Sequence, residues 1–231
     1  MVRSRLFDAL SLLLPAGEIF FVATLEQWLR EAGESVPPGL REDVARFMRE
    51  ERAHRRAHER YNAALLARTP AAGAAAERAR RAADELACLS LPLKLALVAA
   101  FEHLTTLLAR EILERRYLMV DDASPQSRLW RWHAREELDH SHVAMEVAAL
   151  QGVGRMQRAL ALCLASGYLV LDGLRATRAL CRCDIAAGVR RRRVLADACA
   201  LAVGSLPSLG RMAPRWLQYL VRPPGGPRRA A

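Results

Sequence analysis

EERAHRRAH at residues 50–58 and HAREELDH at residues 133–140 each contain a glutamate that is followed, three residues later, by a histidine. The two pairs are Glu51 with His54 and Glu137 with His140. Residues three or four apart lie on one face of an α-helix. Each stretch therefore predicts a carboxylate and an imidazole side by side on a helix, and together they predict a metal site between two helices.

Two further glutamates interrupt apolar stretches. Glu18 lies within LLLPAGEIFF (residues 12–21), and Glu102 lies within ALVAAFEHL (residues 96–104). A carboxylate among buried apolar side chains is costly unless it is paired or bound to a metal. The chain thus carries, in order, a Glu, a Glu-x-x-His, a second Glu and a second Glu-x-x-His, which is the ligand set of ferritin-like carboxylate bundles. We predict an all-α, ferritin-like four-helix bundle that binds two metal ions and has additional C-terminal helices.

Three neighbouring residues extend the predicted site. His133 precedes Glu137 by one turn on the same face and is expected to be a further ligand, with a supporting or capping role as the alternative. His58 lies two turns after Glu51 and is either a ligand or a hydrogen-bond partner beside the ligands. Glu136 adjoins Glu137 and faces either the surroundings of the site or solvent.

The donor set also constrains the metal. Carboxylates can bridge two cations, and imidazole suits iron, zinc and copper. The number of histidines favours two iron ions, with manganese or zinc as the alternatives.

Proline and glycine divide the chain into predicted helices. These cover about residues 15–32, 38–68, 74–88, 91–119, 124–150, 155–182 and 185–204. Histidine is absent after residue 155. We therefore predict a metal-binding bundle over 1–155, C-terminal helices packed on it over 156–220, and a disordered basic tail over 221–231.

Composition limits the partners and the compartment. The 231 residues are 52% hydrophobic and carry a formal net charge of +10, and Lys94 is the single lysine. Such an arginine excess reads as codon bias, so no specific nucleic-acid partner is expected, although Arg190–Arg193 and the tail are basic clusters. The longest apolar run, residues 159–171, is shorter than the roughly 20 residues that span a bilayer. It predicts a core helix, with contact to a membrane surface as the alternative.

The five cysteines have no CxxC spacing, and no signal peptide is expected. A chain with an odd number of unpaired cysteines suits a reducing compartment. We therefore expect the protein to be cytoplasmic.

Several blocks together resemble a bacterial family that is labelled "predicted metal-dependent hydrolase". They are PAGEIFF at residues 15–21, EERAHRRAHERYN at 50–62, FEHLT at 101–105 and WHAREELDHSHVA at 132–144. The resemblance covers about residues 10–180. The block from His133 to His140 is also similar to the ligand block of di-iron arylamine N-oxygenases, and this similarity implies iron and oxygen chemistry.

Three functions follow as hypotheses. The first is a di-iron enzyme that uses O2 and an electron donor to oxidise a small organic substrate. The second is a hydrolase that uses a metal-bound hydroxide. The third is a non-enzymatic metal-binding or basic interaction protein. A homodimer is a further expectation, and the sequence does not identify the substrate.

Overall fold

The computed structural model describes residues 1–114 and 123–221, and these residues form helices and connecting turns with no strand. The all-α prediction is therefore confirmed, whereas the specific ferritin-like topology stays a prediction. The helices are α1 (Val2–Ala32), α2 (Pro38–Arg68), α3 (Gly73–Ala87), α4 (Leu91–Glu114), α5 (Pro125–Glu136), α6 (His140–Leu150), α7 (Arg155–Ala186) and α8 (Arg191–Val221).

The starts of α2 and α5 follow the sequence signals. Pro38 occupies the first turn of α2, where its missing N–H removes no hydrogen bond. The Ser124 side chain accepts a hydrogen bond from the Ser127 backbone N–H at 3.1 Å and so caps α5. The predicted end of α4 near residue 119 and the tail from residue 222 onward lie outside the described residues.

Three prolines lie inside helices, although the first helix was predicted to begin near Pro15 and the last to end near residue 204. Pro15 lies inside α1, which begins at Val2, and Pro207 and Pro214 lie inside α8, which extends to Val221. A proline inside a helix removes one backbone hydrogen bond and costs about 3 kcal/mol. The turns that flank Pro15 are buried, including Leu12, Leu13 and Glu18, and this packing, which a local sequence pattern does not show, offsets the cost there.

The helix predicted over residues 124–150 is interrupted. A 3-10 turn at Glu137–Asp139 separates α5 from α6. The interruption falls on one of the predicted metal ligands.

One large apolar core joins α1, α2, α4, α6 and α7. Leu25 of α1, Val44 of α2 and Leu97 of α4 are almost fully buried in it. Ala161 and Leu162 of α7 belong to the same core. The C-terminal helices thus pack on the bundle, and the predicted division near residue 155 stays a prediction.

Three helical segments are long and apolar enough to cross a membrane by length and composition alone: Val2–Ser35, Leu91–Glu114 and Arg155–Ala186. Uninterrupted apolar runs do not reveal these segments, because polar residues interrupt them, whereas the mean hydropathy over a whole helix does. The protein itself buries 50% and 67% of the apolar windows of the first two, but only 28% of the third. Location in the cytoplasm stays a prediction.

Candidate metal centre

The predicted ligands converge from α1, α2, α4 and the α5–α6 segment onto one buried place in the bundle. None of their side chains is more than 3% exposed. The members are Glu18, Glu51, His54, Glu102, His133, Glu137 and His140. Spacing of three to four residues places each helical pair on the inner face, and the apolar core around it holds that face inward.

Four of these residues form a first group of metal-binding size, namely Glu51, His54, Glu137 and His140, with one donor atom from each within 4.8 Å of the others. Glu51 Oε1 lies 3.0 Å from His140 Nδ1 and 3.3 Å from His54 Nδ1. Glu102 is adjacent, since its Oε2 lies 3.7 Å from His140 Nδ1. Both predicted Glu-x-x-His pairs therefore meet in space.

Glu18, His58 and His133 form a second group by the same distance criterion. Glu137 links the two groups. Its Oε1 lies 2.9 Å from His133 Nε2 and 3.6 Å from His54 Nδ1. A carboxylate in this position can bridge two cations.

The carboxyl groups of Glu18 and Glu102 lack hydrogen-bond partners among the described residues. All four of their oxygens are buried, and none has a hydrogen-bond partner among the described residues. His54 Nε2 is also buried without a partner there. Buried polar atoms are nearly always paired in native proteins, so the orphaned oxygens fit a site that is completed by metal ions.

The four carboxyl groups divide into two electrostatic classes. Burial raises the pKa of Glu18 and of Glu102 well above the usual range, and the other glutamates of the site raise both further. Burial also acts to raise the pKa of Glu51 and Glu137, but the adjacent histidines outweigh it and lower both values, that of Glu137 to about 2. Without a cation, two of the four carboxyl groups therefore favour the protonated form.

Burial and the neighbouring carboxylates act in opposite directions on the pKa of His140. Burial lowers its pKa, but the carboxylates of Glu51, Glu137 and Glu50 outweigh that effect and raise it to about 9. Without metal, the site thus favours the protonated forms of Glu18, Glu102 and His140. Cations would displace these protons on binding.

A buried chain of hydrogen bonds fixes the orientation of His133. The Asn62 amide donates to the Ser11 carbonyl at 2.7 Å, and the Ser11 hydroxyl donates to Asn62 Oδ1 at 2.7 Å. Because the single hydroxyl proton is used there, Ser11 Oγ accepts from His58 Nδ1–H at 2.8 Å. His58 then carries its lone pair on Nε2, which lies 3.0 Å from His133 Nδ1.

The state of His58 completes this chain. Burial lowers the pKa of His58 well below its usual value, and the neighbouring His133 and His54 lower it further. A neutral His58 accepts from His133 Nδ1–H, so Nε2 of His133, which lies next to Glu137, is the ring atom that would face a cation. Both alternatives for His58, a ligand or a hydrogen-bond partner beside the ligands, stay predictions, since His58 also belongs to the group with Glu18.

A family model described as "predicted metal-dependent hydrolase" matches residues 1–223. The chain belongs to this family. The match confirms the resemblance seen in the sequence and extends it through α7 and α8. No curated protein and no solved structure was found to match the chain.

In this hydrolase-family chain, two supporting residues were assigned no definite role from sequence. Glu50 Oε2 accepts from His140 Nε2 at 3.0 Å, which leaves Nδ1 facing the ligand group. Thr105 Oγ1 donates to Glu137 Oε2 at 2.7 Å. The signal for Glu50 was its position next to Glu51, and the signal for Thr105 was a polar residue one turn after Glu102. Partners of this kind orient metal ligands and tune their basicity.

Glu136 and two further histidines of the chain lie away from the centre. Glu136 is half-buried, and the structure gives it no hydrogen bond to the site histidines. His103 stacks on Tyr219 with ring centroids 4.8 Å apart. His142 is exposed.

Aromatic rings close the site on several sides. Trp132 meets His54 edge-on with centroids 5.1 Å apart, and Trp130 meets His58 edge-on at 5.2 Å. Phe47 covers His140 at 4.8 Å. These rings exclude water from the imidazoles, and low local dielectric strengthens every charge interaction inside the site.

Proposed function

We propose that this hydrolase-family protein is an enzyme with a dinuclear metal site. Glu51, His54, Glu137 and His140 hold one cation, and Glu18 and His133 hold the second. Glu102 contributes to the first group, and Glu137 faces both. The observation that carries the proposal is the set of fully buried, unpaired carboxylate oxygens on Glu18 and Glu102 beside two ligand groups.

We further propose that the metals are iron and that the reaction is the O2-dependent oxidation of a small organic substrate, with an electron donor supplying reducing equivalents. Iron would supply Lewis acidity and redox electrons. The mixed imidazole and carboxylate donors suit iron, and the aromatic enclosure suits a reaction from which water is excluded. Within this scheme Glu50 orients His140, Thr105 orients Glu137, and the chain through His58 keeps His133 Nε2 available.

A hydrolase is the second candidate, and the family description favours it. In that case the cations would supply Lewis acidity to water and to an ester, amide or phosphate, and no oxygen or reductant would be required. The same side chains would hold the metals in both cases. Turnover that continues under anaerobic conditions supports this candidate over the first.

The test begins with anaerobic loading of ferrous iron, followed by measurement of metal content and of the absorption spectrum after oxygen is admitted. Two irons per chain and a new oxygen-dependent absorption band are expected. Glu51→Ala and Glu137→Ala should each lose bound iron, whereas Glu59→Ala, an exposed position on the same helix as Glu51, should not. Full iron content in both ligand variants would refute the site.

A further inference from the structure

The exposed apolar surface of the protein is concentrated on α7 and α8. Twelve of the sixteen exposed large hydrophobic residues in the described chain belong to these two helices. Soluble monomers rarely expose contiguous apolar patches larger than a few hundred Å² without an interaction that uses them. Exposed apolar surface that is concentrated in this way is typical of a site that binds a partner.

On α7 the exposed residues follow one helical face. They are Met156, Leu160, Leu164, Val170, Leu171 and Leu174, and each is between 49% and 83% exposed. Their spacing follows the three-to-four-residue period of a helix, and at 1.5 Å per residue the stripe is about 27 Å long. The opposite face of α7 is buried against α1 and α4, so the apolar stripe is the outer face.

On α8 a second stripe begins at Leu195 and continues to Val221. Its large members are Leu195, Val203, Leu206, Leu209, Leu217 and Val221. Between its two ends, α8 has no charged residue at an exposed position, and Gln218 is the one exposed side chain with a polar amide. Two charged residues within this stretch are paired with other helices: Asp197 with the N-terminal amine and Arg211 with Glu111, and each of these two side chains is 34% exposed.

The two helices are antiparallel neighbours. Trp216 Nε1 on α8 donates to Ser166 Oγ on α7 at 2.9 Å, and the Arg158 guanidinium donates to the Tyr219 carbonyl. At the other end, Val194 packs with Cys181. The two stripes therefore lie on neighbouring helices of one α7–α8 hairpin.

Basic residues lie at the margins of the stripes. Arg190–Arg193 are exposed at the turn between the helices, and Arg178 and Arg182 extend the outer face of α7 beyond Leu174. An apolar face with arginine at its edges is typical of helices that lie in the headgroup region of a bilayer. The net charge of +10 attracts an anionic surface and disfavours pairing with a second copy of the chain.

We propose that the α7–α8 hairpin docks the protein on an anionic lipid bilayer, with the leucine stripes in the acyl boundary and the arginines at the lipid phosphates. The hairpin lies on the membrane rather than across it, because its inner face packs on α1 and α4, which carry the metal-site glutamates Glu18 and Glu102.

Vesicle flotation of the full chain, with phosphatidylcholine vesicles that contain or lack phosphatidylserine, tests the docking. We expect binding to the anionic vesicles that weakens as salt rises. Leu171→Ser combined with Leu209→Ser should weaken it by about 100-fold or more, because each buried leucine stabilises the docked state. Leu150→Ser, at an equally exposed leucine on α6, is the matched control and should bind as the parent does.

The charge is tested separately. Arg192→Gln with Arg193→Gln should weaken binding to anionic vesicles by roughly 30-fold, whereas Arg80→Gln with Arg81→Gln on α3 should not. Helicity and iron content, measured on every variant, separate loss of docking from loss of fold or of the metal site. A parent chain that binds neither vesicle overturns the proposal. A dimer that dissociates in the serine variant and binds no vesicle would also overturn it and would assign the face to a second copy of the chain.

Discussion

The metal-free protein should lose stability as pH rises, because His140 holds a proton that its unfolded form gives up. In the folded chain neighbouring carboxylates outweigh burial and raise the pKa of His140 from 6.5 to about 9. Between these values the folded state binds more protons than the unfolded state, so the free energy of unfolding falls as pH rises. A difference of about 2.5 in pKa corresponds to roughly 3 kcal/mol, or a fall in Tm of roughly 10 °C for a chain of this size.

Glu18 and Glu102 act in the same direction. Each keeps its proton in the folded metal-free chain at a pH where the unfolded side chain has lost it. The contribution of each group to the free energy of unfolding therefore also falls as pH rises. Bound cations replace all three protons and should remove this pH dependence. The decline is therefore a property of the metal-free form alone.

The assay is thermal unfolding of metal-free and iron-loaded protein, followed by circular dichroism at intervals between pH 6 and pH 9. His140→Gln should flatten the decline of the metal-free form, whereas His142→Gln, at an exposed position two residues away, should leave it unchanged. Equal Tm values for the metal-free parent at pH 6 and pH 9 would refute the electrostatic reasoning. An unchanged slope in His140→Gln would refute the assignment to His140.

Two further predictions concern the residues that support the ligands. Glu50→Gln should weaken metal affinity by about 10- to 100-fold, because His140 loses the carboxylate that orients it. Equilibrium iron titration measures this affinity. Glu136→Gln, which alters the other glutamate beside a ligand, is the control and should have little effect. Ser11→Ala leaves His58 Nδ1–H without its buried acceptor. It should lower the free energy of unfolding by about 1–3 kcal/mol, which denaturant unfolding measures. It should also reduce occupancy of the second cation, which iron content measures. Ser11→Thr keeps the hydroxyl and should restore them, and failure to do so would contradict the assigned direction of the hydrogen bonds.

The core of the site was predictable because it depends on local periodicity. Helical spacing placed Glu51 with His54 and Glu137 with His140, and an apolar neighbourhood marked Glu18 and Glu102 as residues that need a partner. The structure brings these six together with His133. Metal identity and reaction depend on properties that spacing does not encode, and they stay proposals.

What could not be predicted depends on contacts between distant parts of the chain. Ser11 and His58 are 47 residues apart, and the hydrogen bond between them depends on how α1 and α2 pack. The continuation of α1 through Pro15 likewise depends on packing that outweighs a local preference. The outer stripes of α7 and α8 required both helix bounds and exposure, since a single sequence does not show which apolar face remains uncovered.

The 3-10 turn at Glu137–Asp139 has a geometric consequence for the ligand pair that it contains. In an α-helix, residues three apart are offset by about 60° around the axis, whereas in a 3-10 helix they eclipse one another. Because these three residues form a 3-10 turn, the side chains of His140 and Glu137 leave the helix axis in nearly the same direction. His140 Nδ1 lies 3.9 Å from Glu137 Oε1. If the turn relaxed to α-helical pitch, α6 would rotate by about 60° relative to α5 and carry the imidazole sideways. The conformation of these three residues thus determines the direction of the His140 side chain relative to the ligands on α1, α2 and α4.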